Sequence, residues 1–281
     1  AYIRTDFFGV ALSRWNSDII IMILANIAIW GGLLWMFTKD SLRLRWLVIM
    51  FIAGIKAVSS YAPEALEWVP RMGCIGWFFN WSFLQYLVIA LAGSIVGDML
   101  LAQSRSGKEV IIDKYHIAGG IIALIAALVQ LWGLFTRNVL ADFIISAVMG
   151  IAFFVLTFRR RNVMTDIGYI GFILMLIGII FDPIDGGITK DHCNLSYLFT
   201  TSGMTSLTGA FILALEFKWQ IKGRGLSGCG QNPMLAYTVT NFLTGPVLAL
   251  CGVLAWVDEI SLGSPFWGVF RGLFITLLMV A

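Results

Sequence analysis

Apolar residues fall along this chain in long unbroken runs, separated by short stretches that hold almost all of its charge. The runs cover about 18 to 37, 46 to 62, 82 to 102, 117 to 135, 139 to 158, 167 to 181, 195 to 217, 234 to 256 and 267 to 281. Most approach the roughly 20 residues with which a helix crosses a bilayer. Hydrocarbon offers no partner to a backbone N–H or C=O, so each run must satisfy its own backbone as a helix. The pattern predicts an all-α fold, a polytopic transmembrane helix bundle of about nine spans forming a single transmembrane domain over residues 1–281. The last run stops at Ala281 short of a full crossing, and the chain opens on an aromatic, mixed-charge stretch with no initiating Met and no signal peptide. The expectation is therefore that N-terminal spans and part of the last span are missing.

Composition narrows the class. Hydrophobic residues make up 59% of the chain and charged ones 12%, with a mean hydropathy of +0.88, which excludes a water-soluble domain. The formal charge of +3 is too small for a nucleic-acid partner; the bilayer is the partner expected. Cys74, Cys193, Cys229 and Cys251 form no CxxC pair, and His116 and His192 are the two histidines, so no metal site is expected.

Charge distribution sets the expected orientation. Lys39, Arg43 and Arg45 follow the first run, Arg105, Lys108 and Lys114 the third, Arg159, Arg160 and Arg161 the fifth, and Lys218, Lys222 and Arg224 the seventh. The intervening connections and the N-terminal stretch hold Arg4, Arg14, Arg71, Arg137 and Lys190. Because Lys and Arg accumulate in short cytoplasmic loops, the N-terminus is expected outside. Lys56 and Arg271 fall inside runs. Lys56 lies about 9 Å from the outer end of its run, so its stem either snorkels to the interface or pairs within the bundle with Asp18 or Asp142. Arg271 reads as a snorkelling residue.

Two connections concentrate candidate chemistry. The outer stretch from Phe181 to Asn194 contains Asp182, Asp185, Gly186, Gly187, Lys190, Asp191 and His192. It reads as a contact for a polar or cationic acceptor, as a Ca²⁺ loop through Asp182, Asp185 and a carbonyl, as the source of a general base in His192, or as a solvated turn in which Asn194 or Ser196 starts the next helix. On the cytoplasmic side, Gly228 to Tyr237 places Asn232 and Pro233 at a helix start beside basic residues, which reads either as helix capping or as a phosphate site for a nucleotide-bearing cofactor. Gly223, Gly225 and Gly228 match GxGxxG but follow a membrane helix rather than a strand, so a dinucleotide fold is excluded. Asn80 and Asn194 begin glycosylation triplets, and Cys74 and Cys193 share the outer side. Gly93 with Gly97, and Ser202, Ser206, Gly209 and Ala210, are small-residue faces expected to bring helices together.

The segments "SDIIIMILANIAIWGGLLWMF", "FLQYLVIALAGSIVGDMLL", "DGGITKDHCNLSYLFTTSG" and "GQNPMLAY" resemble the C-terminal part of a family of bacterial, Bacteroidetes-type membrane proteins similar to heparan-alpha-glucosaminide N-acetyltransferase. The resemblance implies a bacterial cytoplasmic-membrane acyltransferase that moves an acetyl group from cytoplasmic acetyl-CoA to an extracytoplasmic amino sugar. It places the catalytic histidine and its motif in the family's N-terminal part, so no catalytic residue is assigned here; His192 stands where relatives carry Pro, which argues against it as the base. What carries over is Gly186, Gly187, Lys190, Asp191, Ser196 and Tyr197 on the acceptor side, and Gly230, Asn232 and Tyr237 on the acetyl-CoA side. The alternative is a non-catalytic integral membrane subunit of a larger complex or homo-oligomer. Transport, suggested by Asn241 to Pro246 within the eighth run, is the third reading.

Overall fold

A computed structural model describes residues 6–7, 10–11, 19–62, 64, 81–107, 109–189, 193–220, 230–231, 239, 245–262, 267, 271 and 274. Within them the chain is helical apart from one two-residue antiparallel pair, β1 (Asp6–Phe7) with β2 (Val10–Ala11). The helices are α1 (Ile19–Thr38), α2 (Leu42–Tyr61), α3 (Trp81–Leu84), α4 (Leu87–Ser106), α5 (Lys114–Thr136), α6 (Val139–Thr157), α7 (Val163–Asp185), α8 (Leu195–Trp219), α9 (Gly245–Leu250) and α10 (Val253–Leu262). Five of them, α4 to α8, are long and apolar enough to cross a membrane; α1 adds a shorter apolar stretch, Ile23–Thr38. Nine spans were expected. Seven of the expected runs coincide with α1, α2 and α4 to α8, although α2, with Arg43, Arg45 and Lys56, falls short of the same apolar standard. The eighth expected span is not one continuous helix: the chain breaks between α9 and α10 at Gly252, whose φ of 71° interrupts the helical ladder. Most of the ninth lies outside the described residues.

Short polar residues place the helix ends. Ser41 accepts a hydrogen bond from the Leu44 N–H at the start of α2, and the Asn138 side chain accepts from Ala141 N–H at the start of α6. Asp113 and Asn162 open α5 and α7 with full capping boxes, paired with His116 and Thr165. Gly107 and Gly186, both left-handed, end α4 and α7.

The helices divide along Ala1–Trp219 and Gln220–Ala281 into two units. In the first, the most extensive packing joins α7 to α8. The two backbones meet at Gly171, Gly178 and Gly203: a Cβ at Gly171 would lie 2.9 Å from the Leu207 side chain, one at Gly178 would strike Thr200, and one at Gly203 the Met175 backbone. Of the small residues expected to pack helices, Ala210 is buried in the core, but the glycines do something else. Gly93, Gly97 and Gly209 have nothing within 4 Å of a notional Cβ, and Gly93, Ser202, Ser206 and Gly209 line an open apolar groove of about 350 Å³. One buried cluster gathers Ile49, Leu91, Leu198 and Phe199, another Ala123, Phe153, Met175 and Leu207. Outward, Trp132, Phe135, Leu140 and Val155 are exposed, a surface suited to lipid rather than water.

Arg45, counted as a loop charge in the sequence, is buried inside α2. Its Nη1 lies 2.6 Å from Asp98 Oδ2 of α4, and it also donates to Thr38 Oγ1 and Ser94 Oγ. Trp35 Nε1 donates to both Asp98 oxygens at 3.1 to 3.2 Å. In the second unit, Arg271 pairs with Asp258 of α10, so its charge is matched by a partner rather than left to reach the interface alone.

Candidate functional site

The ends of α2, α5 and α7 and the starts of α6 and α8 meet in a polar mouth. Here α5 ends at Arg137, a non-glycine residue held left-handed at φ 59°, and α6 begins two residues later. The turn aims the half-exposed Arg137 guanidinium at α7, where Nη1 lies 3.2 Å from Oδ1 of the buried Asp182. Gly187 makes room for it: at φ 120° only glycine is comfortable, and a Cβ there would lie 2.9 Å from Arg137 Nη2. Asn194 Nδ2 donates to the Gly187 carbonyl at 2.9 Å.

Asp185 ties α8 to the same rim. Its Oδ2 accepts the Ser196 N–H at 2.8 Å, taking one of the unpaired donors of a helix start and placing a negative charge at the positive end of α8. Its Oδ1 accepts from the Tyr61 hydroxyl at the end of α2. Thus Asn194 stands at the start of α8, as expected, but the side chain that caps the helix comes from α7. Asp182 and Asp185 turn to different partners, Arg137 on one side and Tyr61 with Ser196 on the other, rather than facing each other as a calcium pair.

Beneath the rim lies a group of buried polar side chains that the sequence reading did not assemble. Asp142 of α6 packs against Gly133 of α5, where any Cβ would strike its carboxylate. Gln130 of α5 reaches toward the same carboxylate, and the charge of Asp182 acts on it as well. Ser146 follows Asp142 by one helical turn on the same face. Gln130 and Ser146 are 0% exposed, Asp142 4% and Asp182 1%. Both Gln130 amide atoms, Asp142 Oδ1, Ser146 Oγ and Asp182 Oδ2 make no hydrogen bond of normal geometry among the described residues, nor do Ser196 Oγ and Thr200 Oγ1. Such atoms are costly where water is excluded, which makes this group a candidate site. The available signal was a polar residue inside an apolar run, and only for Asp142 did the sequence use it.

Asp142 therefore faces Gln130 and Asp182; the sequence had offered it to Lys56. Lys56, within α2, is close enough to Cys193 for its charge to act on the thiol. Cys193 is a buried free cysteine, and burial pushes its thiol up to about 11 against the opposing pull of a Tyr86 hydrogen bond and the Lys56 charge. Tyr197, one of the expected acceptor-side residues, interacts with Cys193. Gly186, Gly187 and Ser196 sit at the rim, so four of the six acceptor-side residues gather at one end of the bundle; Lys190, Asp191 and His192 lie outside the described residues. Of the expected cofactor residues, Gly230 is exposed in a helical turn, while Asn232 and Tyr237 lie outside the described residues.

At the opposite end of α5 to α8, His116 is used structurally. Its Nε2 lies 2.8 Å from the Arg160 carbonyl and its Nδ1 2.7 Å from Asp113 Oδ1. Burial pulls the Asp113 carboxyl up, but hydrogen bonds from His116 and Tyr115 hold it below its ordinary value. Arg160 pairs with Asp113 at 2.9 Å and stacks on Tyr115. Among the described residues no group of three His, Cys, Asp or Glu side chains is arranged to hold a metal ion.

No curated protein and no solved structure matches the chain. Residues 5–100, which contain α1, α2, α3 and most of α4 with the buried Arg45 and its partner Asp98, are similar to a domain of unknown function, DUF5009.

Proposed function

We propose that this chain is an acyltransferase-like protein of a bacterial cytoplasmic membrane that moves an acetyl or acyl group from cytoplasmic acyl-CoA to an extracytoplasmic amino sugar, with the Arg137 mouth as its acceptor end. The observation that carries the reading is the mouth: a built, charged rim over buried polar atoms, at one end of helices whose sides are apolar. Its orientation is argued from charge. The other end of α5 to α8 bears Lys114, Arg159, Arg160, Arg161 and Lys218, which favours that end as cytoplasmic and the mouth as external. Tyr61 at the mouth and Lys39 before α2 fit the same alternation, with the N-terminus outside and about nine spans in all. An amino sugar offers hydroxyls to Arg137 and an amine to acids, which the rim supplies. Acetyl-CoA is the donor that the family resemblance implies, with Gly230, Asn232 and Tyr237 as its proposed contacts.

A second reading, the non-catalytic membrane subunit, draws on two observations. The described histidine, His116, serves as a helix cap at the basic end, and Asp185 is engaged by Tyr61 and Ser196. Transfer of labelled acetyl from acetyl-CoA to glucosamine-ended acceptors, in proteoliposomes of the full-length gene product, separates the two. Label on the acceptor, reduced at least about tenfold by Arg137→Gln, is expected for the enzyme. Donor and acceptor left unchanged by wild type would overturn it in favour of the subunit.

A further inference from the structure

The geometry points to a binding site for one monovalent cation of sodium-like chemistry, held by Asp142, Asp182, Gln130 and Ser146 behind Arg137. The inference is independent of acyl transfer. It starts from a charge count: two carboxylates, Asp142 and Asp182, are buried together, and among the described residues the cation beside them, Arg137, pairs with Asp182. One negative charge is left in a region where an unmatched charge is strongly unfavourable. A single positive charge cancels it.

The oxygen atoms decide what carries that charge. Asp142 Oδ1, Asp182 Oδ2, the Gln130 carbonyl and the Ser146 hydroxyl make no hydrogen bond of normal geometry among the described residues; Gln130 is fully buried and reaches toward Asp142, and Ser146, also fully buried, follows Asp142 by one helical turn. A proton would neutralise the charge but engage two of these oxygens, its own and one acceptor, and leave the rest unmatched. Hard monovalent cations take several oxygen ligands at once, mixing carboxylate, amide carbonyl and hydroxyl, as hard cations generally do. Two carboxylates with neutral oxygens, one of them already paired with Arg137, leave the single negative charge that fits Na⁺ better than a divalent ion. The half-exposed Arg137 stands between this group and the outside, so exchange of the ion would accompany movement of its side chain.

Thermal unfolding of the full-length protein in detergent tests this, with choline chloride replaced by NaCl or KCl at constant ionic strength so that general screening is unchanged. Wild type should melt about 5 °C higher once Na⁺ is near a hundredfold above its dissociation constant, and the rise should saturate. Asp142→Asn should melt higher than wild type in choline, since no charge is left unmatched, and should lose the response to Na⁺. Ser146→Ala, which removes one ligand and no charge, should fold normally and need several-fold more Na⁺ for the same shift; it decides the matter if Asp142→Asn fails to fold. A wild-type melting temperature that is the same in all three salts, or that responds to acid and not to Na⁺, overturns the proposal. So does an Na⁺ response unchanged in Ser146→Ala.

Discussion

Asp98 holds more of the fold than its partly exposed position suggests, because it is the counter-ion of the buried Arg45 and also accepts from Trp35. Removing the two partners should therefore have unequal effects. Asp98→Asn leaves a guanidinium buried without a counter-charge and should cost about 3 kcal/mol, whereas Arg45→Met leaves a carboxylate that can turn to solvent and should cost clearly less. Unfolding curves of the two variants in one detergent compare them directly. Cys193 yields a second expectation at this scale. With its thiol raised to about 11, almost none is thiolate at neutral pH, so maleimide should label it slowly in the folded protein at pH 8 and rapidly once the protein is unfolded in SDS. Equal rates in the two states would contradict the burial. Neither role was legible in the sequence, where Arg45 is one of three basic residues after an apolar run and its partner lies 53 positions away. The pattern of a single chain reports neighbours along it, and these contacts are between helices.

The helices themselves were largely legible, since long apolar runs leave the backbone no other way to satisfy itself in lipid. What sequence could not order was the small residues. GxxxG spacing drew attention to Gly93 and Gly97, yet the close approach is made by Gly171, Gly178 and Gly203 between α7 and α8. Adding a methyl at Gly178 or Gly203 should force the helices apart and cost about 1 to 3 kcal/mol, while Gly93→Ala should be close to neutral. Melting temperatures of the three alanine variants give the ordering, and a Gly93→Ala effect as large as that of Gly203→Ala would contradict it. The break at Gly252 was missed for a related reason: the run from 234 to 256 carries no charge, and hydropathy does not register a left-handed residue. At the mouth, Gly186, Gly187 and Ser196 were legible as a group in one outer stretch, but Gln130, Arg137 and Ser146 come from other helices and join it only through packing.

For the whole molecule, charge and polarity point the same way along the bundle axis. Alkaline phosphatase fused after Gly187 should be active in bacterial cells, and the same enzyme fused after Arg160 inactive, if the mouth faces outward. The reverse pattern would invert the proposed topology. The measurement that tests the central proposal most directly is vectorial transfer in sealed, uniformly oriented vesicles, with labelled acetyl-CoA on the face of Arg159 to Arg161 and glucosamine-ended acceptor only on the face of Arg137. Label appearing on the enclosed acceptor, and failing to appear when donor and acceptor exchange sides, is the expected result. Transfer that proceeds only with both on one face, or none in either arrangement, would contradict it.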